Sequence, residues 1–207
     1  MEQQKNAQKV TYITAGLAAF VLVAWGASWL IMAVYANRDD RGVVRRMAGW
    51  FPVGKVGSET VRYSQYLRAR DAIKNFLNSR AVQEAGGSGQ VITPEIESSA
   101  YERLLREAAS RDLAAEKKIT VTDEDVKATY DSFVEQASST VPDVKQYIQD
   151  TFQWSVEEYQ EVVVRPQTMD DKLAATFASG TDGYDQLNQY FSTRLQEPDV
   201  KRYLKFN

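Results

Sequence analysis

From Val10 to Ala36 the chain carries no charged side chain. The run is about 27 residues, or roughly 40 Å as a helix, against a hydrocarbon core of roughly 30 Å. Such a segment must be buried in lipid or inside protein, and nothing later in the sequence is apolar enough to surround it. The run therefore predicts a transmembrane helix over residues 10–36, behind a short polar flank at 1–9. Tyr12 and Tyr35 stand near its two ends, where interfacial aromatics are expected. A cleaved signal peptide is the rival reading, but its apolar region would be only about 7–15 residues, followed by a small-x-small site. Trp29 to Tyr35 offers bulky residues there instead, which favours an uncleaved single-pass anchor.

The flanks bear on orientation. Lys5 and Lys9 precede the run; Arg38, Arg41, Arg45 and Arg46 follow it. Counting Lys and Arg alone places the C-terminal side in the cytoplasm, although long domains can translocate despite such charges. Residues 37–52 read as a juxtamembrane linker, its arginines a solvated flank or a contact to lipid headgroups.

The remainder, 53–207, has the size of one domain that buries a core unaided. Val53 to Val61 reads as a short strand and turn. Ser64 is placed to cap a helix over Gln65–Ala85, which Gly86 to Gln90 breaks as a flexible linker rather than a phosphate loop. Thr93 and Pro94 begin the next helix in the favoured cap and first-turn positions. The sharpest punctuation is Ile119 to Val126: Thr122 caps a new helix and Asp125 reaches back to the cap's N–H, a capping-box spacing. Val126–Ala137 and a short helix over Val144–Phe152 follow. Ser155 and Glu158 form a second capping box, opening a long helix to about Ala178 that Pro166 should kink or split after Arg165. A final helix over Tyr184–Leu195 precedes Val200–Phe206, which alternates weakly and is placed to pair with Val53–Thr60. The fold class expected is mainly α: a transmembrane helix, then a multi-helix domain closed by a small two-stranded β element from its two ends.

Three stretches in this order resemble the SurA-like N-terminal chaperone domain family, with SurA, PpiD and PrsA among its members. Val53-Gly-Lys-Val-Gly-Ser-Glu-Thr-Val61 resembles the family's opening strand. Leu104 through Val126 resembles its helix leading into Ile-x-Val-(Ser/Thr)-Asp-Glu-Glu-Val. Trp154-Ser-Val-Glu-Glu-Tyr-Gln-Glu-Val-Val-Val-Arg-Pro-Gln167 resembles its later capped helix. The resemblance spans roughly residues 53–178 and implies an exported or membrane-anchored folding factor that binds unfolded chains without ATP. Many members carry a parvulin prolyl isomerase domain after this core. Here only about 20 residues separate Ala178 from Val200, too few for a domain, and the chain contains no histidine. The resemblance thus implies a chaperone-like domain without isomerase activity.

The side-chain chemistry agrees with a binding role. Without histidine or cysteine there is no Ser-His-Asp triad, thiol nucleophile or zinc thiolate site. Asp123, Glu124 and Asp125, like Glu157, Glu158 and Glu161, read as helix-start carboxylates rather than a metal site, and no cofactor is expected. A net charge of −3 with dispersed basic residues leaves no footprint for nucleic acid. Tyrosine and phenylalanine are more plentiful than a small bundle needs, and tyrosine suits varied peptide contacts. Tyr130, Phe133, Tyr147 and Phe152 are the expected peptide-binding residues, in a groove where helix faces diverge. The expected partners are unfolded or exported polypeptides and, through residues 10–36, the lipid bilayer, with the domain extracytoplasmic. The alternative function is a non-catalytic docking subunit of a cell-envelope complex.

Overall fold

A computed structural model describes residues 28–35, 42–84, 91–178 and 180–206, with the side chains of Gly42, Val43 and Ala81 left aside. The order is α1 (28–35), α2 (Gly42–Ala48), β1 (Pro52–Val56), β2 (Glu59–Arg62), α3 (Tyr63–Leu77), α4 (Arg80–Glu84), α5 (Pro94–Lys117), α6 (Asp123–Ala137), α7 (Val144–Phe152), α8 (Val156–Tyr159), a π-helical turn (Gln160–Val164), α9 (Arg165–Phe177), α10 (Thr181–Arg194) and β3 (Lys201–Arg202). The chain is mainly helical with one small sheet, as expected.

Helix α5 is the axis. Thr93 caps it, Pro94 occupies its first turn, and Lys118 ends it in the left-handed conformation at φ 56°. Its buried positions include Tyr101, Leu104, Leu105, Ala108 and Leu113, the i, i+3, i+4 rhythm of a helix facing a core. Strands β1 and β2, helix α3, helix α9 and helix α10 pack around it. The sheet has order β2-β1-β3, antiparallel throughout, with Gly54 opposite Val61 and also opposite Arg202. The pairing of the two chain ends was legible in the sequence; the third strand was not, because the turn at Gly57 is too tight to show as a break between two strands.

The Tyr101 hydroxyl donates to the Val53 carbonyl and accepts from the Tyr203 N–H at 3.3 Å, joining α5 to the central strand and to the residue that follows β3. Burial pushes this phenol up to about 12, so it stays protonated and able to donate. Arg202 grips Glu102 with two bonds of 3.0 and 3.1 Å. A second clamp centres on Arg194, buried at 8% exposure. It holds Asp199 bidentately at 2.7 and 2.9 Å, Glu197 at 2.7 Å and Asp112 at 3.3 Å. Asp112 in turn accepts the Ser58 N–H and hydroxyl, both at 3.0 Å. One guanidinium thus links the β-turn, α5, α10 and the approach to β3.

The central joint forms as the spacing predicts. The Thr122 N–H donates to Asp125 Oδ2 at 2.8 Å, and the Asp125 N–H donates to Thr122 Oγ1 at 3.2 Å. Tertiary structure adds what the spacing does not contain. From α9, Arg165 bonds Asp123 at 2.6 Å and the Val121 carbonyl at 3.2 Å, and Lys172 contacts Asp125 and the Thr120 carbonyl. The Lys172 ammonium, with the Thr122 N–H, draws the Asp125 carboxyl from 3.8 to about 2. A carboxyl lowered in the folded state stabilises it above its unfolded pKa and stops doing so as pH falls through the folded value. The contribution is therefore lost between about pH 4 and about pH 2. Asp125→Asn keeps an acceptor for the cap, so it should lower the thermal midpoint at neutral pH and narrow the fall in midpoint on acidification. An unchanged acid dependence in that variant would place the joint's pH sensitivity elsewhere.

Several expectations need correction. Helix α3 starts at Tyr63, where the Arg62 N–H donates to Gln65 Oε1 at 2.7 Å, not after a Ser64 cap. It ends at Leu77; Asn78 and Ser79 interrupt the single helix expected to Ala85, and α4 follows. The loop at 85–90 lies outside the described residues. The final helix, expected from Tyr184, starts at Thr181, so Gly183 lies inside α10, where a Cβ would come within 2.4 Å of the Ala178 carbonyl oxygen. On α6 only Val126 is buried, and Tyr130, Phe133, Val134 and Ala137 lie outside the core.

The largest correction concerns the chain's start. Residues 10–27 of the predicted span lie outside the described residues, and among the described residues no helix is long and apolar enough to cross a membrane. The last turns, α1, belong to the domain instead. Leu30, Ala33 and Val34 join the core, Val34 at 0% exposure. The Lys205 N–H donates to the Tyr35 carbonyl at 3.2 Å, and the Tyr35 and Tyr203 rings lie 5.9 Å apart. The segment read as a linker holds α2, whose Val44 and Ala48 are fully buried. Arg45, expected in a solvated flank, makes a bidentate bond to Asp71 of α3 at 2.7 and 2.8 Å.

Candidate functional site: an apolar groove between α3, α5 and α9

Helices α3 and α9 both pack on α5 and diverge from each other. The space left open is a groove of about 690 Å³. Its floor is made of small and aliphatic residues: Ala69, Ala72 and Ile73 from α3, Ala100 and Leu104 from α5. Alanines at 69, 72 and 100 leave the room that larger side chains would have filled. The far end is closed by rings. Phe76 stacks on Phe152 with centroids 6.2 Å apart, Phe152 stacks on Trp154 at 5.5 Å and meets Tyr159 at 6.0 Å. The Asn75 side chain donates to the Phe152 carbonyl at 3.0 Å, tying α7 to α3 at this end. Gln153, left-handed at φ 60°, turns the chain so that Trp154 faces the groove.

The α9 wall has an unusual backbone. Pro166 has no N–H to give the carbonyl four residues back, that of Val162. The helix widens into the π turn Gln160–Val164, with the Arg165 N–H bonded to the Gln160 carbonyl. The Val162 carbonyl accepts from Arg103 Nη2 at 3.2 Å instead. The proline was expected to kink or split the helix after Arg165; the disruption falls on the residues before it and carries Val162 and Val163 into the groove wall. Single π turns of this kind recur at functional sites.

Most rim charges are partnered. Arg103 pairs with Glu107 at 2.9 Å, Arg111 with Glu59 at 2.9 Å, and Arg165 with Glu161 at 2.7 Å. Ser110, deep against α9, donates to Asp170 at 2.7 Å; burial raises that carboxyl above its ordinary value, and the Ser110 bond and Arg106 oppose the rise. The surface presented is thus apolar in its floor, with Arg68, Arg103, Arg111 and Arg165 outnumbering Glu107 and Glu161 at its edge. Among the described residues no group of three or more His, Cys, Asp or Glu side chains could hold a metal ion.

Of the expected peptide-binding residues, Phe152 lies in this groove. Phe133 and Tyr147 line a separate, shallower hollow of about 350 Å³, which also reaches Phe152 and Tyr159. Tyr130 lies outside both linings; burial raises its phenol, with Asp131, Glu157 and Asp143 adding to the effect. Tyr159 bridges the two hollows, its ring 5.9 Å from Phe133 and 6.0 Å from Phe152. Tyr66, Tyr101 and Phe191 are core residues. The residues missed were Ile73, Phe76, Trp154, Met169 and the floor alanines. The one sequence signal for the floor was alanine at 69 and 72 on the face of α3 that also carries Ile73 and Phe76. No family model, curated protein or solved structure matches this chain.

Proposed function

We propose that this chain is a membrane-anchored, extracytoplasmic folding factor that binds unfolded or newly exported polypeptides without ATP. The observation that carries the reading is the groove: open along its length, floored by small apolar residues, closed at one end by stacked rings. Such a surface accepts apolar side chains of many shapes and has few buried polar groups to demand a particular partner. From Ser64 to Phe76 the α3 wall is roughly 18 Å long by helical rise, enough for about five residues of extended chain. A site of that size binds weakly and releases readily. Client segments are held by transient burial of their apolar side chains, so no nucleotide is needed to let go. The ordered resemblance to the SurA-like family supports the same reading.

The test is binding of fluorescent, permanently unfolded model chains to the full-length protein in nanodiscs. A fragment beginning at Trp50 is unsuitable, because it loses Val34, Val44 and Ala48 from the core. Binding in the micromolar range to several unrelated chains, with slowed aggregation, is the expected result. Binding to none of them overturns the reading and leaves a docking subunit with one fixed partner, to be sought by cross-linking.

A further inference from the structure

Large apolar side chains are exposed on α1, on α2 and on the turn after it: Ile31 is 43% exposed, Met32 72%, Met47 58% and Trp50 65%. Isolated exposed apolar residues are ordinary, but these sit on two short helices consecutive in the chain and on the turn that follows the second. The uncharged residues 10–27 join α1 directly. As a helix those roughly 18 residues cover about 27 Å, close to the roughly 30 Å hydrocarbon core. The bilayer boundary then falls near the start of α1. Helix α1 is only about 12 Å long, and its far end is bonded into the domain through Tyr35, Tyr203 and Lys205. A domain so tethered has no slack with which to leave the surface.

We propose that α2 and the outer face of α1 rest in the lipid interface, so that the domain is held on the bilayer in one orientation. Met47 and Trp50 enter the acyl boundary, as the apolar faces of interfacial helices do, and exposed Arg46 sits among the headgroups. This rests on the anchor reading above. Its consequence is the placement of the groove. The Ser64 N–H donates to the Gly49 carbonyl at 2.9 Å, and Ser64 and Gln65 begin the groove lining. The groove therefore opens beside Trp50 at the bilayer surface and runs away from it along α3.

The chain has no cysteine, so single thiols can be placed at will. Ala18→Cys, Met47→Cys, Trp50→Cys and Gln136→Cys, each carrying an environment-sensitive fluorophore, are compared in nanodiscs whose lipids bear nitroxide quenchers in the upper acyl chain. Probes at 18, 47 and 50 should lose most of their emission, and the probe on the exposed outer part of α6 should keep it. Quenching at 18 without quenching at 47 and 50 overturns the surface contact and leaves the anchor standing. No quenching at 18 overturns the anchor and the contact with it.

Discussion

Replacing Trp154 by alanine should weaken the binding of unfolded chains about 30-fold, the loss of about 2 kcal/mol expected of a ring that anchors an interface. Trp154 is half-buried, stacks on Phe152 and forms part of the groove wall. A client covering it would bury a large apolar face that water now reaches. Truncation alone also removes some packing, so a second variant is needed. Ala69→Trp fills the floor from a half-buried position and deletes nothing; it should block binding to a similar extent while the thermal midpoint stays close to that of the parent. Tyr147→Ala, in the shallower hollow, should change affinity by no more than about twofold, as most residues outside a hot spot do. Titrations of one labelled client against the three variants decide the matter. If Tyr147→Ala is the damaging change and Trp154→Ala is silent, the clients sit on α6 and α7, and the groove is not the site.

The second large effect concerns stability. Gly57→Ala should cost about 3 kcal/mol, of which about 1–2 kcal/mol is the backbone's left-handed conformation and the rest the displacement of Asp112. Gly57 has φ 55°, and a Cβ there would lie 2.2 Å from Asp112 Oδ2. Asp112 must then swing away, abandoning the Ser58 N–H and hydroxyl and the Arg194 guanidinium. Burial pushes the Asp112 carboxyl up, yet those bonds hold it below its ordinary value, which shows where their strength is directed. A loss of this size lowers the thermal midpoint of a chain this long by about 6–12 °C. The two parts separate in a double-mutant cycle. In an Asp112→Ala background the glycine substitution should cost only the backbone part, about 1–2 kcal/mol. Equal costs in both backgrounds would mean that Asp112 yields freely and the clamp contributes nothing.

These two sites differ in how much of them could be read from residues alone. The caps at Thr122 and Ser155, the start at Thr93-Pro94 and the disruption near Pro166 were all legible, because each is settled by a few neighbours along the chain. The pairing of Val53–Thr60 with Val200–Phe206 was legible as two short apolar stretches at the ends of a helical domain. Phe133 and Tyr147 were expected with Phe152 in one peptide-binding site, whereas the fold puts Phe133 and Tyr147 in the shallower hollow and Phe152 on both linings. Phe152 faces two hollows, and which one matters depends on where α3 passes, a question of long-range packing. The bond from Arg103 to the Val162 carbonyl exists only because α5 and the π turn are brought together, and no neighbour along the chain announces it.

By itself the sequence determined the helix boundaries that carry caps, the helical class of the domain, the uncharged run at its start and the exclusion of histidine and cysteine chemistry. Each follows from local backbone preference or from composition, which act over a turn or two of chain. Only the tertiary structure decided that α1 and α2 belong to the core, that Gly57 must leave room for Asp112, and that α3 and α9 part above α5 to leave a groove. Those outcomes depend on how faces distant in sequence fill space against one another. An alanine on a helix reads the same whether its neighbour is a packed side chain or an open groove.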